Sequence, residues 1–146
     1  MYKSLLVAVD GSKHGRKALE LACHLARVDN AELHILHVPE VLPHEATLIW
    51  GIGAVAISDE LKEMEALGNR ILAGAEAEAQ KLGVGNIYTH VDKGEPARTI
   101  LKQTEKLGVD VVVLGTRGLG DLAGLVMGSV SHKVANSAKC GVITVR

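Results

Sequence analysis

Short aliphatic runs alternate along the chain with stretches whose apolar residues recur every three or four positions. Positions 5–9 are a continuous aliphatic run, the pattern of a strand buried on both faces. Asp10-Gly11-Ser12 turns the chain, and Ser12 is of the type that caps a helix. Ala18, Leu21, Ala22, Leu25 and Val28 then recur at helical spacing and predict one buried face. Positions 33–38 predict a second strand, whose continuation Pro39 limits. The segment 39–57 holds Pro39, Pro43, Gly51 and Gly53 and predicts no single regular element. Its apolar stretch at 49–55 suits the cover of a cleft, a partner contact, or a short helix packed on the body. Ser58, with Asp59 and Glu60 behind it, has the composition of a helix start. Leu61, Met64, Gly68, Ile71, Leu72, Ala75, Ala79 and Leu82 give that helix a buried stripe, and Gly83 and Gly85 end it.

The alternation continues through the second half. Positions 87–91 predict a third strand, and Gly94-Glu95-Pro96 opens a helix with Pro96 in its first turn. Ile100, Leu101, Thr104 and Leu107 form the face of that helix. Positions 110–114 predict a fourth strand, followed by a glycine-rich segment. Ser129 is expected to cap the last helix, with Val130, Val134 and Ala138 on its apolar face, and positions 142–145 predict the fifth strand. Strict alternation of strands and helices implies an α/β fold, a parallel sheet with helices on both faces and right-handed crossovers. Ligands of such sheets bind outside the carboxyl ends of the strands, where the winding reverses. The segments after strands 1, 2 and 4 are therefore the ones to inspect.

Composition narrows the function classes. The chain has 146 residues, the size of one domain, and 47% of them are apolar, which excludes a disordered polypeptide. A formal net charge of −1 carries no nucleic-acid footprint. With no Phe, one Trp and two Tyr the core must be aliphatic, and stacking platforms for single strands are absent. Cys23 and Cys140 show no paired spacing and read as core residues or free thiols. The aliphatic run at 5–9 is too short for a signal-peptide core, and no stretch is long enough to span a membrane, so the cytoplasm is the default compartment.

Five of the 16 glycines fall between positions 115 and 128. Gly115-Thr116-Arg117-Gly118 follows the fourth strand, and Gly128-Ser129 precedes the last helix. Strand, glycine segment and helix start, in that order, suit an anion. Glycine lets main-chain N–H groups approach without an intervening Cβ, and first-turn amides carry partial positive charge. Arg117 adds a full charge in fork geometry, and Ser129 and Ser131 add hydroxyl donors. The order differs from a P-loop, since no lysine follows the glycines, and from a dinucleotide site, since the first strand is followed only by Asp10-Gly11-Ser12. Asp10 stands where it can either cap the first helix or meet a base. A phosphorylation receiver domain would need further acidic residues there. The seven histidines show no metal-ligand spacing and read as solvated or core residues. No general base is placed for hydrolysis of a bound phosphoanhydride; Asp121 reads as a solvated loop acid.

Gly115-x2-Gly118-x9-Gly128-Ser129 resembles the nucleotide-binding pattern G-x2-G-x9-G-[S/T] of the universal stress protein family. Leu6-Val7-Ala8-Val9-Asp10-Gly11-Ser12, Gly94-Glu95-Pro96 and Val142-Ile143-Thr144-Val145 are similar to other parts of the same family, so the resemblance covers the whole chain, 1–146, as one domain. It implies a five-stranded parallel sheet ordered 3-2-1-4-5, of the adenine-nucleotide alpha-hydrolase-like kind, and a homodimer paired through the last strand. The intact glycine pattern implies the ATP-binding branch, with ATP (or AMP or ADP) as ligand, with Mg²⁺. Carried over, Asp10 would hydrogen-bond the adenine end, Ala8 and Val9 would line the base pocket, and Val38 would stand opposite. Leu114 and Gly115 would lie along the adenosine, Arg117 and Gly118 near the phosphates, and Gly128, Ser129, Val130 and Ser131 would cradle the phosphate chain. Relatives commonly have Cys-Pro-Val where this chain has Cys140-Gly141-Val142, which loosens the entry to the last strand. The resemblance implies a nucleotide-dependent switch in stress response that engages an unidentified regulatory protein, with at most slow ATP hydrolysis. An ATPase or autophosphorylating enzyme with Ser129 or Ser131 as acceptor, and a nucleotide-free dimerisation scaffold, are the alternatives.

Overall fold

Strands and helices alternate along the chain in the order β1 (Ser4–Ala8), α1 (Lys13–Asp29), β2 (Glu32–His37), α2 (Ile52–Lys81), β3 (Asn86–Val91), α3 (Pro96–Leu107), β4 (Val111–Gly115), α4 (Ser129–Ser137) and β5 (Gly141–Val145). This computed structural model describes residues 1–39, 52–116 and 128–146. The strands form one parallel sheet in the order β3-β2-β1-β4-β5. The winding reverses between β1 and β4, which pair as Leu5↔Val111, Leu6↔Val112 and Val7↔Val113.

Two cores flank the sheet. Leu5, Val7, Leu33, Ile35, Val111 and Val113 point to the side that α1 and α2 cover. Leu6, Leu36, Val112 and Leu114 point to the side of α3 and α4. Leu5, Leu6 and Val7 in the central strand are completely buried, and each such side chain contributes about 1.5–3 kcal/mol. The edge strands are less buried: β3 is exposed at four of its six positions, and β5, although aliphatic, is only half-buried.

Four expectations shift. First, α1 is turned relative to its expected face. It buries Gly15, Ala18, Leu19, Ala22, Cys23 and Ala26, while Leu21 and Leu25 pack at the margin and Val28 is 66% exposed. Small side chains let the helix axis approach the sheet, so the larger apolar residues occupy the flank. Second, α2 starts at Ile52, so Ser58 lies inside the helix rather than at its N-cap position. No proline follows Pro43 until Pro96, and helix propagation over 52–57 needs no new nucleus. The rest of the segment 39–57, apart from Pro39, lies outside the described residues, as does Asp121. Third, Gly128 is the N-cap of α4, and Ser129 is its first helical residue rather than its cap. Fourth, Asp110 precedes β4. Its carboxylate accepts the Lys3 and Ser4 N–H groups at 2.7 and 3.0 Å, which holds it below the usual carboxylate range and pins the start of β1.

Candidate functional site

The carboxyl ends of β1 and β4 diverge onto a cavity of about 270 Å³. The end of β1 supplies Ala8, Val9 and Asp10, the end of β2 supplies Val38, and β4 supplies Leu114 and Gly115. The start of α4 supplies Gly128, Ser129, Val130 and Ser131. Of the twelve residues singled out from the sequence, Arg117 and Gly118 lie outside the described residues, and these other ten all border this one cavity. The cavity thus occupies the switch point of the sheet.

Local chemistry builds each wall. The Ser12 Oγ accepts the Gly15 N–H at 3.1 Å and caps α1. Asp10 is therefore not the helix cap; its Oδ1 accepts the Ser12 N–H at 2.9 Å and fixes the turn that sends α1 across the cavity. Gly11 takes φ +84° in that turn, a conformation side chains oppose. A Cβ on Gly15 would lie 2.9 Å from Asp10 Oδ1, so a larger residue there would push the carboxylate off the first turn. Gly115 is more tightly constrained. A Cβ there would come within 2.8 Å of the His14 carbonyl carbon and Cβ. The glycine at the end of β4 exists to let α1 touch the strand.

The opposite wall is a helix start with no side-chain cap. Gly128 offers no acceptor to the first-turn amides of α4, and no acidic residue lies in that turn. The other two helices with described caps differ, since Ser12 caps α1 and the Glu95 carboxylate accepts from Ala97 and Arg98 in α3. In α4 the main-chain bond from His132 N–H to Gly128 O is 3.0 Å long, so Ser129, Val130 and Ser131 precede the helical ladder. Ser131 departs from its expected role. Its hydroxyl is buried and points its single proton at the Gly128 or Thr116 carbonyl, at 3.1 and 3.2 Å. It braces the helix start and leaves its amide as its contribution to the cavity. Ser129, by contrast, is exposed.

Several lining residues escaped the sequence reading. Met64, Leu67 and Ile71 of α2 and Pro96 and Ile100 of α3 form apolar walls. Thr116 and His37 border the cavity as well. His37 Nδ1 lies 2.8 Å from the Val9 carbonyl, which can only accept, so Nδ1 carries the proton. This bond ties β2 to β1 beyond their ladder. The position of His37 at the end of β2 was the only sequence signal for it. None of the described lining residues is Lys or Arg.

The remaining chemistry lies elsewhere. His34 Nδ1 and His90 Nε2 are 2.9 Å apart, with His34 stacked on Tyr88. No group of three or more potential metal ligands occurs among the described residues. Cys23 and Cys140 are free thiols. Among the described residues no helix is long and apolar enough to cross a membrane.

Comparison with known proteins places this geometry. The universal stress protein family model matches residues 1–146. The chain is 40% identical over 149 residues to the universal stress protein YxiE of Bacillus subtilis, covering 100% of both chains. The solved universal stress protein UspA from Lactobacillus plantarum shares the fold, with a TM-score of 0.86 and 24% identity over 99% of this chain and 98% of that one. A universal stress protein solved in complex with cAMP has a TM-score of 0.75 and 26% identity, covering 99% of this chain and 97% of the other. The chain belongs to the universal stress protein family.

Proposed function

We propose that this protein binds an adenine nucleotide, ATP or its mono- or diphosphate, in the cavity at the β1/β4 switch point, and acts as a homodimeric nucleotide-dependent switch. The observation that carries this reading is the uncapped first turn of α4 facing the cavity. An N-terminal turn without its own acceptor is an anion site in search of an anion. The solved relative in complex with cAMP supports an adenine nucleotide as the class. The donor set fits the group: apolar walls from Ala8, Val9, Val38 and α2 suit a flat base, and Asp10 offers an acceptor for an exocyclic amine. Arg117 and Gly118 would stand near the phosphates, and Mg²⁺ would be held largely by phosphate and water oxygens. Bound nucleotide would favour one arrangement of the segments around the cavity, and shifts the surface shown to a regulatory protein only by its preference for that arrangement.

The dimer would form along β5, whose outer edge has no partner strand among the described residues. Among the enzyme readings, autophosphorylation would have to use Ser129, because the Ser131 hydroxyl proton is bound to the main chain. Isothermal titration with AMP, ATP and cAMP on the wild type and Gly118→Val tests the central reading. Heat from the wild type and loss in the variant support it; no heat from either ends it. Light scattering at micromolar protein tests the dimer, and steady-state phosphate release near background separates a switch from an ATPase.

A further inference from the structure

Strands β2 and β3 pair in parallel, with His34 opposite Tyr88 and Leu36 opposite His90. Side chains two positions apart share a face of a strand, so His34, Tyr88 and His90 lie on the face that carries Leu36. That face is the side of α3 and α4. There two imidazoles meet. His34 Nδ1 is 2.9 Å from His90 Nε2, and Tyr88 stacks on His34 with its ring centroid 5.0 Å away. His34 is only 7% exposed, whereas His90 is half-buried and Tyr88 is exposed. Neither histidine borders the cavity at the switch point.

Two imidazole nitrogens this close share a single proton. The Glu32 carboxylate stands 3.6 Å from His34 Nε2 and favours a proton there, which leaves His34 Nδ1 as a lone pair. A carboxylate behind the far nitrogen is the arrangement that orients metal-ligating histidines. The spacing is a second, independent observation. A divalent transition ion bonds imidazole nitrogen at about 2.0–2.1 Å, so nitrogens on neighbouring corners of a square or octahedron stand about 2.9 Å apart, against about 3.3–3.4 Å for a tetrahedron. The pair already has the separation of the first kind. Its protonation state agrees. Burial holds both imidazoles below the ordinary histidine range, helped at His90 by the charges of His34 and Lys106 and opposed at His34 by Glu32. Both rings are therefore neutral at neutral pH, as metal ligands must be.

We infer that His34 Nδ1 and His90 Nε2 form a two-histidine site for a divalent ion of tetragonal preference, Ni²⁺ or Cu²⁺. The ion takes the place of the shared proton, and His90 stays neutral by carrying its proton on Nδ1. His34 is fixed between Tyr88 and Glu32, so the turn that brings both lone pairs onto the ion falls to the half-buried His90 ring. Among the described residues no third ligand completes a cluster, so water fills the remaining positions. It has access, because β3 is an edge strand exposed at four of its six positions. The site is separate from the nucleotide cavity and stands whether or not that cavity binds a nucleotide.

The test titrates Ni²⁺ into the full chain at about pH 7.5 and about pH 5.5, using the wild type, His90→Ala and two controls, His24→Ala and His132→Ala, at exposed histidines away from the pair. The wild type should bind at the higher pH and lose the ion at the lower one, where the imidazoles are protonated. His90→Ala should weaken Ni²⁺ by about 10-fold or more, while both controls stay within about 2-fold of the wild type. Cu²⁺ on the wild type should give a tetragonal electron paramagnetic resonance signal split by nitrogen, and His90→Ala should lose that signal. A second measurement needs no variant and so holds even if His90→Ala fails to fold. Substoichiometric Cu²⁺ should broaden the amide resonances of His34, Tyr88 and His90 in the wild type before any others. Binding that survives His90→Ala, or broadening that begins at His24 or His132, means an adventitious ion on surface imidazoles and overturns the site. Absence of Ni²⁺ and Cu²⁺ binding to the wild type at about pH 7.5 overturns it as well.

Discussion

Adding one methyl group at Gly115 and one at Gly74 should move stability in opposite directions. At Gly115 the new Cβ would sit 2.8 Å from the carbonyl carbon and Cβ of His14 and 3.0 Å from its oxygen. Two of these three atoms are main chain, so no rotamer relieves the overlap; α1 must move off β4. Overpacking of this kind costs about 1–3 kcal/mol. The unfolding entropy of a chain of 146 residues is about 0.3 kcal/mol/K, so Gly115→Ala should lower the melting temperature by about 3–10 °C. Gly74 is exposed inside α2, with nothing within 4 Å of the position its Cβ would take. There alanine removes unfolded-state freedom and adds helix propensity, worth about 0.5–1 kcal/mol, or about 2–3 °C upward. Thermal and urea unfolding of both variants in the absence of ligand would read the two signs. A Gly115→Ala protein melting within a degree of the wild type would refute the claim that contact with α1, rather than turn flexibility, sets glycine at the end of β4.

Other perturbations follow from the same geometry. Ser12→Ala removes the α1 cap and should cost about 1 kcal/mol in urea unfolding; an unchanged midpoint would mean that the Asp10 carboxylate alone holds the turn. Burial holds the His34 and His90 imidazoles below the ordinary histidine range; at His90 the charges of His34 and Lys106 add to this, while at His34 the Glu32 carboxylate opposes it. The unfolded chain therefore takes up protons that the folded chain refuses, and stability should be full above about pH 6.5 and fall on acidification below it. His90→Asn should flatten the dependence of melting temperature on pH between about 7.5 and 5.5, and an identical slope in both proteins would exclude the pair as its source. Burial, together with the Glu78 and Glu20 carboxylates, pushes the Cys23 thiol up to about 11. Cys23 should resist a thiol reagent at pH 8 until the protein is denatured, and rapid labelling of Cys23 in native protein would contradict its burial.

The sheet was legible because its central strands are uninterrupted aliphatic runs, which only two-sided burial explains. What the runs could not reveal was where polar residues join them. Ser4 belongs to β1 because its neighbour Glu32 continues the ladder, and Asp110 falls outside β4 because its carboxylate serves the amides of Lys3 and Ser4. The face of α1 was misread for a different reason. Hydropathy weights Leu21, Leu25 and Val28 above Gly15 and Ala26, yet close approach to a sheet selects small size over hydrophobicity. Ser58 has the local signature of a helix start, and only the continuation of α2 back to Ile52 removes that role.

The cavity divides along the same line. Residues at the carboxyl ends of β1, β2 and β4 could be named in advance, because topology alone brings strand ends to the switch point. Met64, Leu67 and Ile71 could not, since their place depends on how α2 is rotated over the sheet, and that rotation is set by packing such as Gly68 beneath His37. Thr116 was hidden in the open position of a glycine pattern. A pattern of glycines records where a Cβ has no room, and it is silent about the residues between them. Gly115 and Gly15 show what such a record contains. One admits the His14 backbone against the end of β4, and the other admits the Asp10 carboxylate against the first turn of α1. The first turn of α1 is thus held between the end of β4 and the Asp10 carboxylate.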